Sequence, residues 1–209
     1  METKQKVDIS QYKHSEMYQR FIKEKTPGVC VTGKFDVTNI RRINKRKKHK
    51  FNALLCFAVM QAAQKCDDFH YQINPDGLYY YQNVKVNSVV RGDDGGLYNA
   101  EYKYTDNFYE FEKNYLAIRE YCKTQCKHYS EDTGALISTS AMIGFPFESA
   151  AVNLSDIFIA NFLVWSSYKK SFFKTYLNIT LRFHHATIEG QAAALFFKTL
   201  QEEIKNLKI

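Results

Sequence analysis

Alternating side chains near the C-terminus constrain the fold of this chain more than any other feature. Apolar residues occupy every second position from Leu177 to Phe183, and more polar residues stand between them. A period of two is typical of a half-buried β-strand. The same parity places His185 on the apolar face and His184 on the opposite one. We therefore expect a strand over residues 176–185 that ends beside a turn and presents one imidazole inward.

Similar patterns divide the rest of the chain into short helices and strands. Helical patterns cover residues 15–25, 51–62, 107–126 and 191–207. A further helix is expected to begin at Thr38, which can cap it, and to run into the basic stretch. Strand patterns cover 29–36, 71–73, 78–81, 84–90, 136–142, 152–154 and 158–165, with a short strand or arm at 7–10. The 51–62 helix has strongly amphipathic spacing. Because the elements intermix without a strict βαβ repeat, we predict an α/β two-layer sandwich, a mixed β-sheet with helices packed on one side, in a single domain over residues 1–209.

The composition favours a globular protein of the cytosol. No apolar run is long enough to span a membrane, and the five cysteines, an odd number, favour the reduced state. The net charge of +7 invites an anionic partner. The densest basic run, residues 41–50, suits nucleic acid, cofactor phosphates or the solvated end of a helix. We favour the helix because no aromatic residue is interleaved, and we expect neither a nucleic-acid partner nor a membrane partner.

Two sets of residues have the spacing of incomplete metal sites. Cys122 and Cys126 are four apart with His128 close by, and His185 and Glu189 are also four apart. Neither set has the further ligands that a tetrahedral site needs. We therefore expect no metal cofactor.

The segment His184-His185-Ala186-Thr187-Ile188-Glu189-Gly190 resembles the His-His-x-x-x-Asp-Gly signature of the chloramphenicol acetyltransferases and, more loosely, of other coenzyme A-dependent acyltransferases. The similarity extends over nearly the full length. It includes Asp8-Ile9-Ser10-Gln11-Tyr12, Gly28, Lys34-Phe35-Asp36-Val37-Thr38, His49-Lys50-Phe51, Asn114-Tyr115 and Ser140-Ala141-Met142.

The resemblance implies an acetyl-CoA-dependent chloramphenicol O-acetyltransferase, which inactivates the antibiotic as a cytoplasmic homotrimer with active sites between its subunits. His185 matches the family's general base, which takes the proton from the hydroxyl of a small-molecule substrate. Ser140 matches the family's donor to the oxyanion. A nucleophilic Ser-His-acid triad is the weaker alternative, since no Gly-x-Ser-x-Gly surrounds Ser140. Lys50 and Lys169 match the basic residues near the adenosine phosphate of coenzyme A.

The chain also departs from the family pattern. Glu189 stands in place of the Asp that supports the site, and Ser15 in place of its Arg partner, for which Arg20 or His14 is a possible substitute. In the expected substrate pocket, Phe21 replaces a Tyr and Ala150 replaces a Phe, with Val152 close by. These changes enlarge and depolarise the pocket. The alternatives are a coenzyme A acyltransferase with a different hydroxyl acceptor and a non-catalytic trimeric binding protein.

Overall fold

The computed structural model describes residues 4–152 and 160–209 of the chain. Its helices are α1 (Ser15–Phe21), α2 (Thr38–Lys47), α3 (Phe51–Gln64), α4 (Phe108–Gln125) and α5 (Gly190–Asn206). Its strands are β1 (Lys4–Lys6), β2 (Gly28–Asp36), β3 (Tyr71–Asn74), β4 (Gly77–Tyr81), β5 (Val84–Arg91), β6 (Leu97–Tyr102), β7 (Ala135–Ala141), β8 (Asn161–Trp165), β9 (Lys169–Ser171) and β10 (Lys174–His184). Most elements lie within a few residues of their predicted bounds. Most of the strand expected over 152–154, and the start of the one expected over 158–165, fall outside the described residues.

The main sheet is mixed, as predicted. Its strand order is β2–β10–β8–β7–β5–β6, and β9 pairs with β10 beside this path. β7 is parallel to β5 and to β8, whereas β10 is antiparallel to β2 and to β8. A second, three-stranded sheet has the order β1–β4–β3 and is antiparallel.

The alternation in β10 directs its apolar side chains toward the helices. Leu177, Ile179, Leu181 and Phe183 all belong to the large core cluster, together with buried residues of α3 and α5. α3 lies against β5 and β7, and α5 lies against β2. The two-layer α/β arrangement with helices packed on one side of a mixed sheet is therefore confirmed.

α3 differs from its prediction because it is buried on nearly all sides. The expected amphipathic helix would have one wet face, but Cys56, Phe57, Met60 and Ala63 are buried along with the predicted apolar stripe. The helix lies among α2, α4, α5 and the sheet, so little of it meets water. A helix that is apolar all round is typical of such a central position. None of the helices in the described ranges combines the length and apolar character that a membrane crossing requires.

Local signals start and stop several elements where the sequence predicts. The β3–β4 hairpin closes with Asn74 opposite Gly77. Gly77 has a φ of +141°, a backbone conformation that residues with a side chain rarely adopt. At the start of α4 the Asn107 side chain accepts hydrogen bonds from the backbone N–H groups of Tyr109 and Glu110, at 2.9 and 3.2 Å. Such capping satisfies helix donors that have no partner within the helix.

Phe196 gives a test of how α5 is held on the sheet. Its side chain is fully buried and stacks on Phe69 with ring centroids 4.4 Å apart. We expect Phe196→Ala to lower the free energy of unfolding by about 3–5 kcal/mol, because it removes a large ring and leaves a cavity. The matched control is the neighbouring Leu195→Ala, since Leu195 is 55% exposed, and it is expected to change stability by less than about 0.5 kcal/mol. Urea unfolding of both variants measures the difference, and equal midpoints would contradict this packing.

Candidate active site

His185 follows the last residue of β10 and is anchored from two sides. Its backbone N–H donates to the carbonyl oxygen of Pro27 at 3.0 Å. Its Nδ1 lies 3.1 Å from the carbonyl oxygen of Ile188. Because a carbonyl oxygen only accepts, the neutral ring carries its proton on Nδ1 and leaves the lone pair of Nε2 uncovered. The predicted base therefore has the tautomer that proton abstraction requires.

The turn after β10 produces this geometry. The carbonyl oxygen of His184 accepts from the backbone N–H groups of Thr187 and Ile188, both at 3.1 Å. These bonds fold the chain back so that the Ile188 carbonyl reaches the His185 ring. The strand ends at His184, so the parity argument does not extend to His185, and its ring is half-buried rather than buried in the core.

Phe21 of α1 covers one face of the His185 ring. The two ring centroids are 4.4 Å apart with an interplanar angle of 32°. Of the residues predicted for the substrate pocket, Phe21 is thus in direct contact with the predicted base. Val152 lies beside β2, where its carbonyl oxygen is 3.9 Å from the thiol of Cys30, and Ala150 is partly exposed two residues earlier.

His184 is buried, and its Nδ1 accepts a hydrogen bond, in contrast to Nδ1 of His185. Its side chain is 5% exposed, and its Nδ1 accepts a hydrogen bond from the backbone N–H of Ala186 at 3.1 Å. The neutral ring must therefore carry its proton on Nε2. Burial, with smaller contributions from the positive charges of Arg182 and His185, lowers the pKa of His184 to about 4. This imidazole stays neutral and holds the turn.

Glu189 stands at the start of α5. Its backbone carbonyl accepts from Ala193 at 3.0 Å, but its carboxylate makes no hydrogen bond or ion pair with any residue in the described ranges. Ser15, which stands in the place of the Arg partner, and the two possible substitutes, His14 and Arg20, make contacts elsewhere. Ser15 accepts from Gln19 at 3.3 Å, His14 lies 3.1 Å from Asp68, and the Arg20 guanidinium lies over the ring of Phe21. The structure does not bring Glu189 together with them.

Ser140 lies far from His185 within one chain. On β7 it pairs with Val164 of β8, which in turn pairs with Thr180 of β10. At about 4.8 Å per strand and about 3.3 Å per residue along β10, the Cα atoms of Ser140 and His185 are roughly 19 Å apart. The two predicted catalytic residues thus belong to opposite ends of the sheet.

A cavity of about 600 Å³ opens at the Ser140 end of the sheet. Its lining residues are Lys50, Phe51, Asn52, Tyr115, Leu116, Arg119, Ala141, Met142, Ile143, Trp165, Ser166, Ser167 and Tyr168. None of these is acidic, and no carboxylate in the described parts of the chain pairs with the side chain of Lys50 or Arg119. The cavity therefore offers two positive charges and several apolar rings to an anionic ligand.

Lys50 is held at this cavity by α4. Glu112 accepts from the backbone N–H of Lys50 at 3.2 Å and lies 2.5 Å from the ring of His49. Lys169 is not part of the lining. It lies on β9, pairs with Glu148 at 2.9 Å and lines a smaller neighbouring cavity of about 220 Å³.

Sequence reasoning missed Arg119 and Trp165. Arg119 lies one helical turn after Tyr115 on α4, so the i, i+4 rule places both on one face. Its guanidinium donates to Ser88 at 2.8 Å and lies over the Tyr115 ring. Trp165 is the single tryptophan of the chain and ends β8.

The residues weighed as metal ligands do not assemble into a site. Cys122 is buried in α4 and donates weakly to the carbonyl of Asn99, and Cys126 ends the helix with a φ of +50°. Within residues 4–152 and 160–209, no group of three or more His, Cys, Asp or Glu side chains is placed to hold a metal ion.

Sequence comparison finds relatives that match this chain over nearly its whole length. The model of a family described as chloramphenicol acetyltransferase matches residues 3–201. Chloramphenicol acetyltransferase 3 of Escherichia coli is 23% identical over 203 residues, and the alignment covers 94% of this chain and 95% of that protein. A chloramphenicol acetyltransferase of Staphylococcus aureus is 20% identical over 213 residues, with 96% of each chain covered.

Solved structures share the fold at low sequence identity. A chloramphenicol acetyltransferase superposes with a TM-score of 0.82 at 20% identity, over 96% of this chain and 99% of that one. The dihydrolipoamide acetyltransferase of Azotobacter vinelandii gives a TM-score of 0.72 at 17% identity, over 97% and 91%. The solved structures show the fold, and the family match in sequence defines the protein as an enzyme of the acyltransferase class. The chain belongs to the chloramphenicol acetyltransferase family, which confirms the resemblance seen in its sequence.

The buried His184 predicts a pH dependence of stability. Its pKa of about 4 lies below the ordinary value of 6.5, so between these two values the unfolded chain binds a proton that the folded chain does not. Stability is therefore complete above about pH 6.5 and falls as the pH drops toward 4. In His184→Asn the Oδ1 atom can still accept from the backbone N–H of Ala186. Between pH 7 and pH 4.5, we expect the free energy of unfolding to fall by about 2–3 kcal/mol less in this variant than in the unmodified protein. Urea unfolding at both pH values measures this difference, and parallel losses would show that His184 is not responsible.

Proposed function

We propose that this protein is an acetyl-CoA-dependent O-acetyltransferase with His185 as its general base and that it acts as a homotrimer. The observation that carries the proposal is the 3.1 Å contact between Nδ1 of His185 and the carbonyl oxygen of Ile188. With Nδ1 bonded to the Ile188 carbonyl, Nε2 is left to receive a proton from the hydroxyl of a small-molecule acceptor.

The reaction is a direct transfer. As Nε2 of His185 takes the proton, the hydroxyl oxygen of the acceptor attacks the carbonyl carbon of the thioester. The electron pair of the carbonyl double bond then moves onto the carbonyl oxygen. The hydroxyl of Ser140 donates to that oxyanion. When the tetrahedral intermediate collapses, the carbon–sulfur bond breaks and the imidazolium returns its proton to the thiolate of coenzyme A. No acyl-enzyme forms.

The separation of Ser140 and His185 supports a site shared between protomers. At roughly 19 Å, estimated from strand spacing, one chain cannot place both side chains on one thioester. A cyclic assembly brings the His185 end of one protomer against the Ser140 end of the next.

The cavity beside Ser140 supports coenzyme A as the carrier of the acetyl group. Lys50 and Arg119 suit its phosphates, and the rings of Phe51 and Tyr168, 5.4 Å apart, suit its adenine. Lys169, at the neighbouring cavity, is a further candidate for the adenosine phosphate.

Chloramphenicol is the proposed acceptor, in line with the relatives' names, and the corresponding role would be antibiotic inactivation. A second candidate is a different hydroxylated small molecule. It is favoured by Phe21, which has no hydroxyl to offer an acceptor and covers the His185 ring, and by the small side chain of Ala150.

The acceptor and the base are tested together by thiol release from acetyl-CoA. We expect release that depends on chloramphenicol and that falls about 10²–10⁴-fold in His185→Ala, because a general base contributes that factor. A folded protein that binds acetyl-CoA but releases no thiol with chloramphenicol would remove this acceptor. A panel of other hydroxylated acceptors would then test the second candidate.

The shared site is tested by subunit mixing. Assemblies that contain only His185→Ala chains, or only Ser140→Ala chains, are expected to be nearly inactive. For Ser140→Ala we expect the rate to fall about 10²–10³-fold. When the two are co-expressed, random assembly unites an intact His185 with an intact Ser140 of a neighbour at about a quarter of the sites. Activity should return to that fraction. A mixture as inactive as its parents, in assemblies shown by mass spectrometry to contain both chains, would mean that the site is not shared.

A further inference from the structure

Two phenylalanines form the tip of the β9–β10 hairpin. Ser171 pairs with Lys174, so Phe172 and Phe173 make up the whole two-residue loop between the strands. Both side chains are fully exposed, and within residues 4–152 and 160–209 no other large apolar side chain is as exposed. Single apolar side chains at a surface are ordinary, but two adjacent rings entirely in water form a concentrated apolar patch. Burial within this chain does not account for them.

The backbone of Phe172 makes this tip more unusual. Its φ of +45° lies in the left-handed region, which bulky side chains rarely adopt. A two-residue hairpin loop needs a positive φ and therefore prefers Gly or Asn. The β5–β6 loop follows this rule, with Gly95 at a φ of +84°. A strained turn that holds a ring in water adds nothing to the stability of the fold, and so it points to a partner for the ring.

Lysines flank the two rings. Lys170 is exposed and forms no ion pair with a carboxylate of the described residues. Lys174 lies 3.3 Å from Asp36, and both side chains are in contact with solvent, so this pair is weak and screened by salt. The tip thus presents apolar rings at its end and a positive charge on each of its two strands.

The basic helix α2 begins against the same hairpin. The backbone N–H of Val37 donates to the carbonyl oxygen of Thr175 at 2.8 Å, and the backbone N–H of Thr175 donates to the hydroxyl of Thr38 at 2.9 Å. The helix contains no acidic residue, and its cations are Arg41, Arg42, Lys45, Arg46 and Lys47. None of these cations pairs with an Asp or Glu of the described residues. The fold therefore places the basic run beside an aromatic pair that is distant in sequence.

An anionic lipid surface fits this combination of groups. Phe side chains enter the boundary between headgroups and acyl chains, while Lys and Arg side chains stay at the phosphates. Single-stranded nucleic acid also binds rings and cations, but its bases stack on rings that lie along a basic groove. Phe172 and Phe173 instead stand at the end of a hairpin. The expectation of no membrane partner came from the basic run alone, in which no aromatic residue is interleaved, and the hairpin supplies the aromatic pair.

We propose that the β9–β10 tip, with α2 beside it, docks the protein reversibly on an anionic lipid bilayer. Phe172 and Phe173 enter the headgroup region, and Lys170, Lys174 and the cations of α2 face the lipid phosphates. Peripheral binding of this kind requires no membrane-spanning helix. The docking surface lies at the opposite end of β10 from His185 and does not depend on the proposed acetyl transfer.

Vesicle flotation tests the docking surface on the intact assembly. We expect the protein to float with phosphatidylcholine vesicles that contain about 30% phosphatidylglycerol, not with phosphatidylcholine alone, and to be released as the salt concentration rises. Phe172→Gly/Phe173→Ser is expected to weaken binding at least about tenfold, because two rings no longer leave water. Lys170→Gln/Arg42→Gln is expected to weaken binding and to reduce its dependence on salt. The matched control is Leu97→Ser, which removes an exposed apolar side chain from β6 at the far edge of the main sheet and leaves binding unchanged.

Two further measurements separate docking from a structural role of the rings. Because Gly suits the positive φ at residue 172, the urea unfolding midpoint of Phe172→Gly/Phe173→Ser is expected to be at least as high as that of the unmodified protein. The mass of its assembly by light scattering is expected to be unchanged.

Several results would overturn the proposal. In one, the unmodified protein does not float with anionic vesicles at low salt. In another, the ring variant floats as well as the unmodified protein, and the rings have no part in binding. A loss of mass in the ring variant would make the two rings a contact between subunits. Binding of a single-stranded oligonucleotide that depends on the rings, without vesicle binding, would assign the surface to nucleic acid instead.

Discussion

The pairing of β10 along both of its edges is the constraint on which the rest of the molecule depends. Residues 176–184 pair with β2, and residues 179–182 also pair with β8. A slip of one residue would exchange the faces of the strand, taking Leu181 and Phe183 out of the core and forcing Arg182 into it. The register is therefore strongly specified. It also separates Ser140 from His185, because Thr180 stands level with Ser140 while the histidine lies five residues further along.

The same register gives the sheet a polar second face. Thr180, Arg182 and His184 are buried although they point away from the helices. Thr180 bonds to Thr32 of β2 with 2.7 Å between their hydroxyls, and on β7 and β5 Ser138 lies 3.4 Å from Asn87. Buried polar groups each demand a partner in one geometry. This face therefore fixes the arrangement of neighbouring strands, whereas the apolar face mainly supplies the driving force for burial.

The sequence predicts features that depend on neighbours in the chain and misses those that depend on packing. The alternation of β10 is local, and it predicts a strand close to the observed one. The helical pattern over 107–126 is local too, and α4 (Phe108–Gln125) lies within one residue of it at each end. The all-round burial of α3 depends on three other helices, and the cavity that unites Lys50, Arg119 and Trp165 depends on where α3, α4 and β8 meet. The resemblance to the family predicts roles for His185 and Ser140, but it contains no information about their separation within one chain. Lys169 illustrates the same limit, since a matching position did not place it in the main cavity.

The two adjacent histidines show how backbone groups determine which nitrogen of an imidazole carries the proton. Both rings meet a backbone group through Nδ1, but His184 meets an N–H and His185 meets a carbonyl. The first ring must therefore carry its proton on Nε2 and the second on Nδ1. The turn at residues 184–188 supplies both backbone groups. It makes the first imidazole a structural acceptor, and it leaves Nε2 of the second free for the proposed role as a base. Burial reinforces the difference, because the lowered pKa of His184 keeps that ring neutral and so keeps a positive charge away from its neighbour His185.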